Sequence, residues 1–210
     1  MKRLRWRHFL ALTILSVYAV LPASATDETA DGLIKRLSTS VLNDIRANKL
    51  TQGSDLGPII ALVDKEIMPN VNFQRMTASA VGPAWRQASP EQRQRLQEEF
   101  KILLIRTYSG ALNQLGDRTI TVKPLRASPE DKEVVVRSEI KGQGESIALD
   151  YRLEKTPGAG AGWKIYNLNV AGVWLVETYR TQFAQEINAK GLDGLITTLS
   201  NLNRTNAKKS

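Results

Sequence analysis

The chain has 210 residues, 29 Lys and Arg against 21 Asp and Glu, a formal net charge of +8 and no cysteine, and its one histidine is His8. Disulfides, thiol catalysis and a lipid anchor on an N-terminal cysteine are therefore excluded. Beyond residue 8 there is no imidazole, so zinc sites built on His or Cys, Ser-His-Asp triads and Cys-His pairs cannot be assembled.

In chain order, Lys2, Arg3, Arg5 and Arg7 precede an apolar run from Phe9 to Leu21, followed by Pro22 and Ala23-Ser24-Ala25. This charge, apolar core and small-residue order is that of a cleaved secretory signal. The run falls short of the roughly 20 residues of a membrane span. Cleavage is expected after Ala25. It removes four of the 29 basic residues, leaving 25 against 21 acidic ones, and the signs are interleaved, as in EQRQRLQEEFK. Overall charge therefore argues only weakly for an anionic partner. Residues 26–203 are expected to form one domain of ordinary size and residues 204–210 a basic flexible tail.

Asp27 or Asp31 can cap a first helix with Leu33, Leu37, Val41 and Ile45 on one stripe. LGPIIALVDKEIMP predicts a shorter helix ending before Pro69. NFQRMTASAV predicts a third, capped by Asn72 and stopped at Gly82-Pro83. SPEQRQRLQEEFKILLIRTYSGALNQLG carries the clearest signal. Ser89 is an N-cap, Pro90 occupies the first helical position and Gln92 completes a capping box. Leu96, Phe100, Leu103, Leu104, Tyr108, Ala111, Leu112 and Leu115 form its apolar stripe, and Gly116 is its stop.

The period then changes to two. TITVKPL, KEVVVRSEIKG, SIALDYRLEK and GWKIYNLNVAG predict four strands of an antiparallel meander with one face covered. In the last of them Trp163 and Ile165 alternate to one side and Tyr166, Leu168 and Val170 to the other. That pattern predicts a strand with two apolar faces. VWLVETYRTQFAQEINAKG and LDGLITTLSNL predict two closing helices. The fold class is α+β: an antiparallel sheet of about four strands, with helices from both chain ends packed on it. The long Ser89–Leu115 helix is expected to lie against the sheet and leave room beneath it.

No nucleophile elbow, glycine-rich phosphate loop or paired-carboxylate arrangement is present, and the chain is not expected to be an enzyme. The aromatics fall on apolar stripes and not among clustered cations, which argues against nucleic acid.

NFQRMTASAVGPAW, Gln92 at a polar helix start, Phe100, Tyr108 and Leu112, then GWKIYNLNVAGVWLVETYRTQF and GLDGLI together resemble the MlaC family. This is the periplasmic component of the Mla, or toluene-tolerance, lipid transport system of Gram-negative bacteria. Gly82 to Trp85 and Trp163 to Phe183 carry the likeness most specifically. Asn167 departs from the family's Asp, keeping hydrogen bonding but losing a charge. Trp174 stands where the family often has Ser, and adds bulk at a strand-to-helix corner.

The resemblance implies an NTF2-like, MlaC-type fold enclosing an apolar cavity, with a glycerophospholipid as cargo and no cofactor or metal. It implies exchange of that cargo with the MCE-domain protein of an inner-membrane ABC transporter and with an outer-membrane lipoprotein complex, maintaining outer-membrane lipid asymmetry. The carrier would be a periplasmic monomer in transient proximity to membranes. Leu104, Tyr108, Leu112, Leu149, Tyr151, Ile165, Val170 and Val173 are expected to lie near the acyl tails, and Arg106 and Arg180 are candidates for phosphate or partner contact. The competing readings are a periplasmic interaction module or chaperone with an apolar groove, and a lipid-cleaving enzyme with a Ser-Lys pair.

Overall fold

The computed structural model describes residues 28–48, 56–112, 115, 118–128, 130–142 and 144–207. The expected signal segment lies outside the described residues.

Five strands form one antiparallel sheet in sequence order: β1 (Thr119–Val122), β2 (Glu133–Lys141), β3 (Ile147–Lys155), β4 (Trp163–Val170) and β5 (Val173–Trp174). The strand count exceeds the expected four because Val173-Trp174, read from sequence as the start of a helix, pairs with Asn169 and Val170. Ala171-Gly172 turns the corner, both with positive φ.

The apparent two-sided apolar character of β4 has a different origin from the one expected. Leu153 pairs with Ile165, whereas Arg152 pairs with Asn167, so Tyr166 is an extra residue opposite the Arg152–Leu153 step. Such a bulge resets the alternation of everything after it. Tyr151 therefore pairs with Leu168 and Leu149 with Val170, which puts both on the face that carries Ile165 and Leu153. β4 has one apolar face, and the polar Asn167 and Asn169 lie on the other. Tyr166 donates to Glu133 at 2.9 Å, and the Arg75 guanidinium lies 3.6 Å above its ring. Arg75 also pairs with both Glu133 and Glu154.

α1 (Ala30–Asn48) covers the inner face of the sheet with Leu33, Ile34 and Leu37 against Val134, Val136, Leu153, Trp163 and Ile165. α2 (Gly57–Leu62) runs on into a π-helical turn, Val63–Ile67, and a 3₁₀ turn, Met68–Asn70. The expected stop before Pro69 is passed because proline tolerates the first positions of such a turn. α3 (Phe73–Val81) begins at Asn72, whose side chain accepts from the Arg75 N–H at 3.0 Å. α4 (Pro90–Leu112) has the reciprocal capping box: Ser89 Oγ accepts from the Gln92 N–H at 3.2 Å, and Gln92 Oε1 from the Ser89 N–H at 3.0 Å.

α4 is packed on α5, α3 and α2, while α1, α3 and α5 make the close approaches to the sheet. The long helix is a wall set beside the sheet and not the helix laid across it; α1 takes that place. α5 (Leu175–Ala207) joins the two expected closing helices across a break at Gly191, where φ is 72°. Its helical turns continue to Ala207, four residues into the segment expected as tail.

Phe100 anchors the helical layer. It is fully buried, with ring centroids 5.0 Å from Tyr179, 5.2 Å from Phe183 and 5.8 Å from Phe73. Truncating a ring so placed costs both its transfer energy and a cavity. Phe100→Ala should lower the unfolding free energy by about 3–5 kcal/mol and Phe100→Leu by distinctly less. Denaturant titration of both variants checks this.

Candidate functional site

Among the described residues the buried apolar side chains fall into three groups. One joins α3, α4 and α5 around Phe100. A second joins the first half of α1 to Val134, Val136, Leu153, Trp163 and Ile165. A third joins Leu42 and Ile45 of α1 to Leu62, Leu115 and Ile140. A domain of this size ordinarily has one contiguous core. Here the groups meet through half-buried residues: Leu104, Tyr108, Leu168 and Val170 at the margin of the first, Tyr151 at that of the second, Ile147 and Leu149 at that of the third.

β3 locates the gap. As the middle strand its inward side chains have the best chance of being covered. Leu153 is 0% exposed, but Tyr151, Leu149 and Ile147 all keep accessible surface. Beyond Leu153 the inner face is therefore only half-buried toward one end. At that end α1 finishes, β1 begins opposite the end of β2, and the β4–β5 corner turns. Leu115, beyond α4, packs there on Ile45 and Ile140.

Tyr151 fixes the depth of the gap. Burial pushes its hydroxyl up to about 12, while the hydroxyls of Ser138 and Ser38 beside it act in the opposite sense. Tyr151 is thus deeply enclosed and only half-buried, on the inner face of the sheet at the margin of the second group. Leu149, the next inward-facing residue of β3, lies nearer the open end and is likewise half-buried, at the margin of the third group. Tyr108 approaches from α4, its hydroxyl raised by burial first and by Tyr179 second.

The structure brings together most of the residues expected at the cavity. Leu149, Val170 and Val173 are successive cross-strand neighbours, and Tyr151 is one inward step away. Leu104 and Tyr108 lie one turn apart on α4 at the margin of the same group as Val170. Val173 is 51% exposed and stands outside on the corner. Ile165 is set apart at the closed end, buried beneath α1. Leu112 is the last residue of α4, and its side chain lies outside what the structure describes. Sequence reasoning missed Leu168, because only the bulge turns it inward. It also missed Ser38 and Ser138, small polar residues at otherwise apolar periodic positions.

The two candidates for phosphate contact lie on different helices, Arg180 on α5 and Arg106 on α4. The Arg180 Nε donates to the Ser79 carbonyl at 2.7 Å and ties α5 to α3. Arg106 lies two turns beyond Glu99, which holds Asn203 of α5, and its buried Nε has no partner. Two hollows, of about 520 and 400 Å³, lie on the surface. They are lined by Lys35, Arg36 and Asn43 of α1, and by Lys123, Arg126 and Arg137 near the sheet edge. The second also takes in Leu125 and Val135, and neither includes Leu104, Tyr108, Ile147, Leu149, Tyr151, Leu168 or Val170.

The corner that launches α5 is built on the two departures noted in the sequence. Asn167 is 1% exposed. Its Oδ1 accepts from the N–H of Val176 at 3.1 Å and of Leu168 at 2.9 Å, and its Nδ2 donates to Glu177 at 2.8 Å. Glu177 also takes the Arg152 guanidinium, which lies 4.0 Å over the Trp174 ring. Burial pushes the Glu177 carboxyl up, but hydrogen bonds from Asn167, Arg152 and the backbone, with the Arg152 charge, outweigh it and hold it below its usual range.

Among the described residues no cluster of His, Cys, Asp and Glu could hold a metal, and no helix is long and apolar enough to cross a membrane. The family model described as "MlaC protein" matches residues 35–201. The chain is 29% identical, over 87% of its length and 83% of the relative's, to the toluene tolerance protein ttg2D of Pseudomonas putida. It is 23% identical, over 90% of its length and 89% of the relative's, to the intermembrane phospholipid transport system binding protein MlaC of Haemophilus influenzae. A solved structure of the phospholipid-binding protein from Ralstonia solanacearum, in complex with a phospholipid, superposes with a TM-score of 0.80 at 44% identity. That superposition covers 85% of this chain and 98% of the other.

The Tyr151 assignment has a consequence in alkali. Its hydroxyl titrates near 12 when folded against 10 as the ordinary value, so the folded state holds the proton longer. Stability is unaffected below pH 10 and declines as pH rises toward 12. Tyr151→Phe should make that decline shallower in denaturant titrations across this window. Equal declines in the two proteins would place the hydroxyl in contact with bulk water instead.

Proposed function

Because this chain belongs to the MlaC family, we propose that it is a periplasmic phospholipid carrier, holding acyl tails in the space bounded by α1, the inner face of β3 and β4, and α4. The observation that carries this reading is the half-buried inner face of the middle strand. An apolar face left partly uncovered inside a fold is a surface waiting for an apolar occupant. The relatives bear on what that occupant is: one is named as a phospholipid transport binding protein, and the Ralstonia protein holds a phospholipid.

The energetics suit a carrier. Exposing one acyl chain of about 15 methylenes to water costs on the order of 12 kcal/mol. Tails cannot cross an aqueous compartment unaided at a useful rate. The lining offers only hydrocarbon, tyrosine and serine hydroxyls, which is what a cargo to be delivered unaltered requires. The protein thus moves lipid between the inner and outer membranes and supports outer-membrane asymmetry. It exchanges cargo with an MCE-domain protein of an ABC transporter on one side and a lipoprotein complex on the other. It acts as a monomer after loss of residues 1–25, without catalysis or cofactor.

Protein purified without detergent should yield diacyl phospholipid at a fixed molar ratio on extraction and mass spectrometry. Leu149→Arg should lose most of it while keeping its circular dichroism and a cooperative melt. Full lipid content in a folded Leu149→Arg would move the tails away from β3. Native protein that yields peptide partners and no lipid would replace the carrier with an interaction module, and one that yields lyso-lipid and free fatty acid would make it a hydrolase.

A further inference from the structure

The inner face of the sheet is laid out in cross-strand rows that differ in how well they are covered. Val134, Leu153 and Ile165 form the row at the closed end, paired across β2, β3 and β4, and all three are buried. Val136, Tyr151 and Leu168 form the next row, and Ser138, Leu149 and Val170 the one after it. In both of these the β2 residue is buried, while the β3 and β4 residues are half-buried. Tyr151 thus stands in the row that adjoins the solidly packed one.

Three hydroxyls meet at Tyr151. Ser38 of α1 and Ser138 of β2 are 9% and 2% exposed, and both hydrogen-bond the tyrosine hydroxyl. Each hydroxyl has one proton to donate. Ser138 donates its own to the Leu149 carbonyl at 2.6 Å, so from Tyr151 it accepts. Tyr151 has then used its proton, and Ser38 donates to it. The chain runs from Ser38 through Tyr151 and Ser138 to the Leu149 carbonyl with each proton used once. Ser138 is the diagonal neighbour of Tyr151, whose direct partner on β2 is Val136. The roughly 7–8 Å of a diagonal is within reach of a long aromatic side chain. The ring is thereby tied to a helix and to a neighbouring strand, and a satisfied buried network of this kind is rigid.

We propose that Tyr151, held in place by Ser38 and Ser138, is the inner stop of the tail space and sets the length of acyl chain that the carrier accepts. From Ile147 at the open end to Tyr151 is four residues, about 13 Å at the rise of an antiparallel strand. The hydrocarbon core of a bilayer is about 30 Å thick, so one tail spans about 15 Å. A tail lying along β3 with its ester end at Ile147 therefore ends against the tyrosine ring. A longer chain meets the ring before its last methylenes are buried. Ser38 and Ser138 are positioning residues, which keep the ring from being pushed aside. The inference rests on the carrier reading, and the test separates the two.

The mature protein is incubated with vesicles of equal parts dipalmitoleoyl and dieicosenoyl phosphatidylglycerol, re-isolated, and its lipids quantified by mass spectrometry. The parent should prefer the shorter lipid. Tyr151→Ala should lower that preference about tenfold, equivalent to about two methylenes newly buried. Tyr151→Phe and the double variant Ser38→Ala, Ser138→Ala keep the ring and lose its ties. Each should lower the preference by a smaller factor, and combining them should add nothing, because they break the same chain. Leu168→Phe adds bulk beside Tyr151 in the same row and should raise the preference. It carries the test should Tyr151→Ala fail to fold. Equal uptake of the two lipids by the parent, or a parental preference in lipid-loaded Tyr151→Ala and Leu168→Phe, overturns the stop and leaves the carrier standing. A preference lost in Tyr151→Ala and parental in Tyr151→Phe and the serine pair overturns the role of the hydroxyls. Absence of any lipid from parent and variants removes the carrier and the stop with it.

Discussion

One extra residue in β4 decides how this sheet is used. Without Tyr166 bulged opposite the Arg152–Leu153 step, Leu168 and Val170 would lie on the face opposite Ile165. Those two apolar side chains would then be carried to the outer face, where Asn167 and Asn169 now make the hydrogen bonds that turn the chain into β5 and α5. The bulge serves both needs at once. It keeps the apolar residues of β4 on one side, and it presents amides at the corner where a helix must start. Everything α5 brings, including Tyr179 and Phe183 against Phe100, follows from that corner being in place.

The divided core is the second consequence. α1 covers the sheet from the closed end, where Leu33 meets Leu153, and α3 to α5 form a separate layer beside β4. Neither layer reaches the middle of β3 toward its open end. A fold that leaves apolar surface uncovered forgoes roughly 25 cal/mol per Å² that a solid core would gain. The rest of the molecule offsets this with dense packing around Phe100 and with the Arg75 clamp on Glu133 and Glu154. An occupant of the gap would return part of the missing burial, so the loaded protein should be the more stable form by mass action.

Much of the fold was legible in the sequence because its signals are local. The Ser89–Gln92 capping box, the Asn72 cap, the break at Gly191 and the alternation of SIALDYRLE each state their structure within a few residues. The bulge was not legible, since GWKIYNLNV reads equally well as an unbroken strand with two apolar faces. Only the partner strand's register distinguishes the two. The same limit applies to the site. Leu149, Tyr151, Val170, Leu104 and Tyr108 were expected near the tails from apolar patterning, and all five lie half-buried at the margins of the packed groups. Ile165 and Val173 fit that pattern too, yet one lies beneath α1 and the other on the corner.

The two departures from the family pattern, Asn167 and Trp174, are best understood together. An Asp at position 167 could still accept from the Val176 and Leu168 amides, and its charge would suit the start of a helix. It could not donate to Glu177. Two carboxylates would then share one guanidinium, and the buried one would carry the larger penalty. With Asn the corner holds one negative and one positive charge, Glu177 and Arg152. Arg152 can then be fixed by something uncharged, and the Trp174 ring supplies a face for it. Trp174 in turn closes the outer side of the corner over Asn169, its cross-strand partner. Changing either residue alone breaks a contact the other relies on: an amide without its carboxylate's counterion, or a guanidinium without its platform. The pair therefore constitutes one way of building the turn that delivers α5, on the face of the sheet away from the gap. Leu149, Tyr151, Leu168 and Val170 lie on the opposite face, so the turn is built without drawing on them.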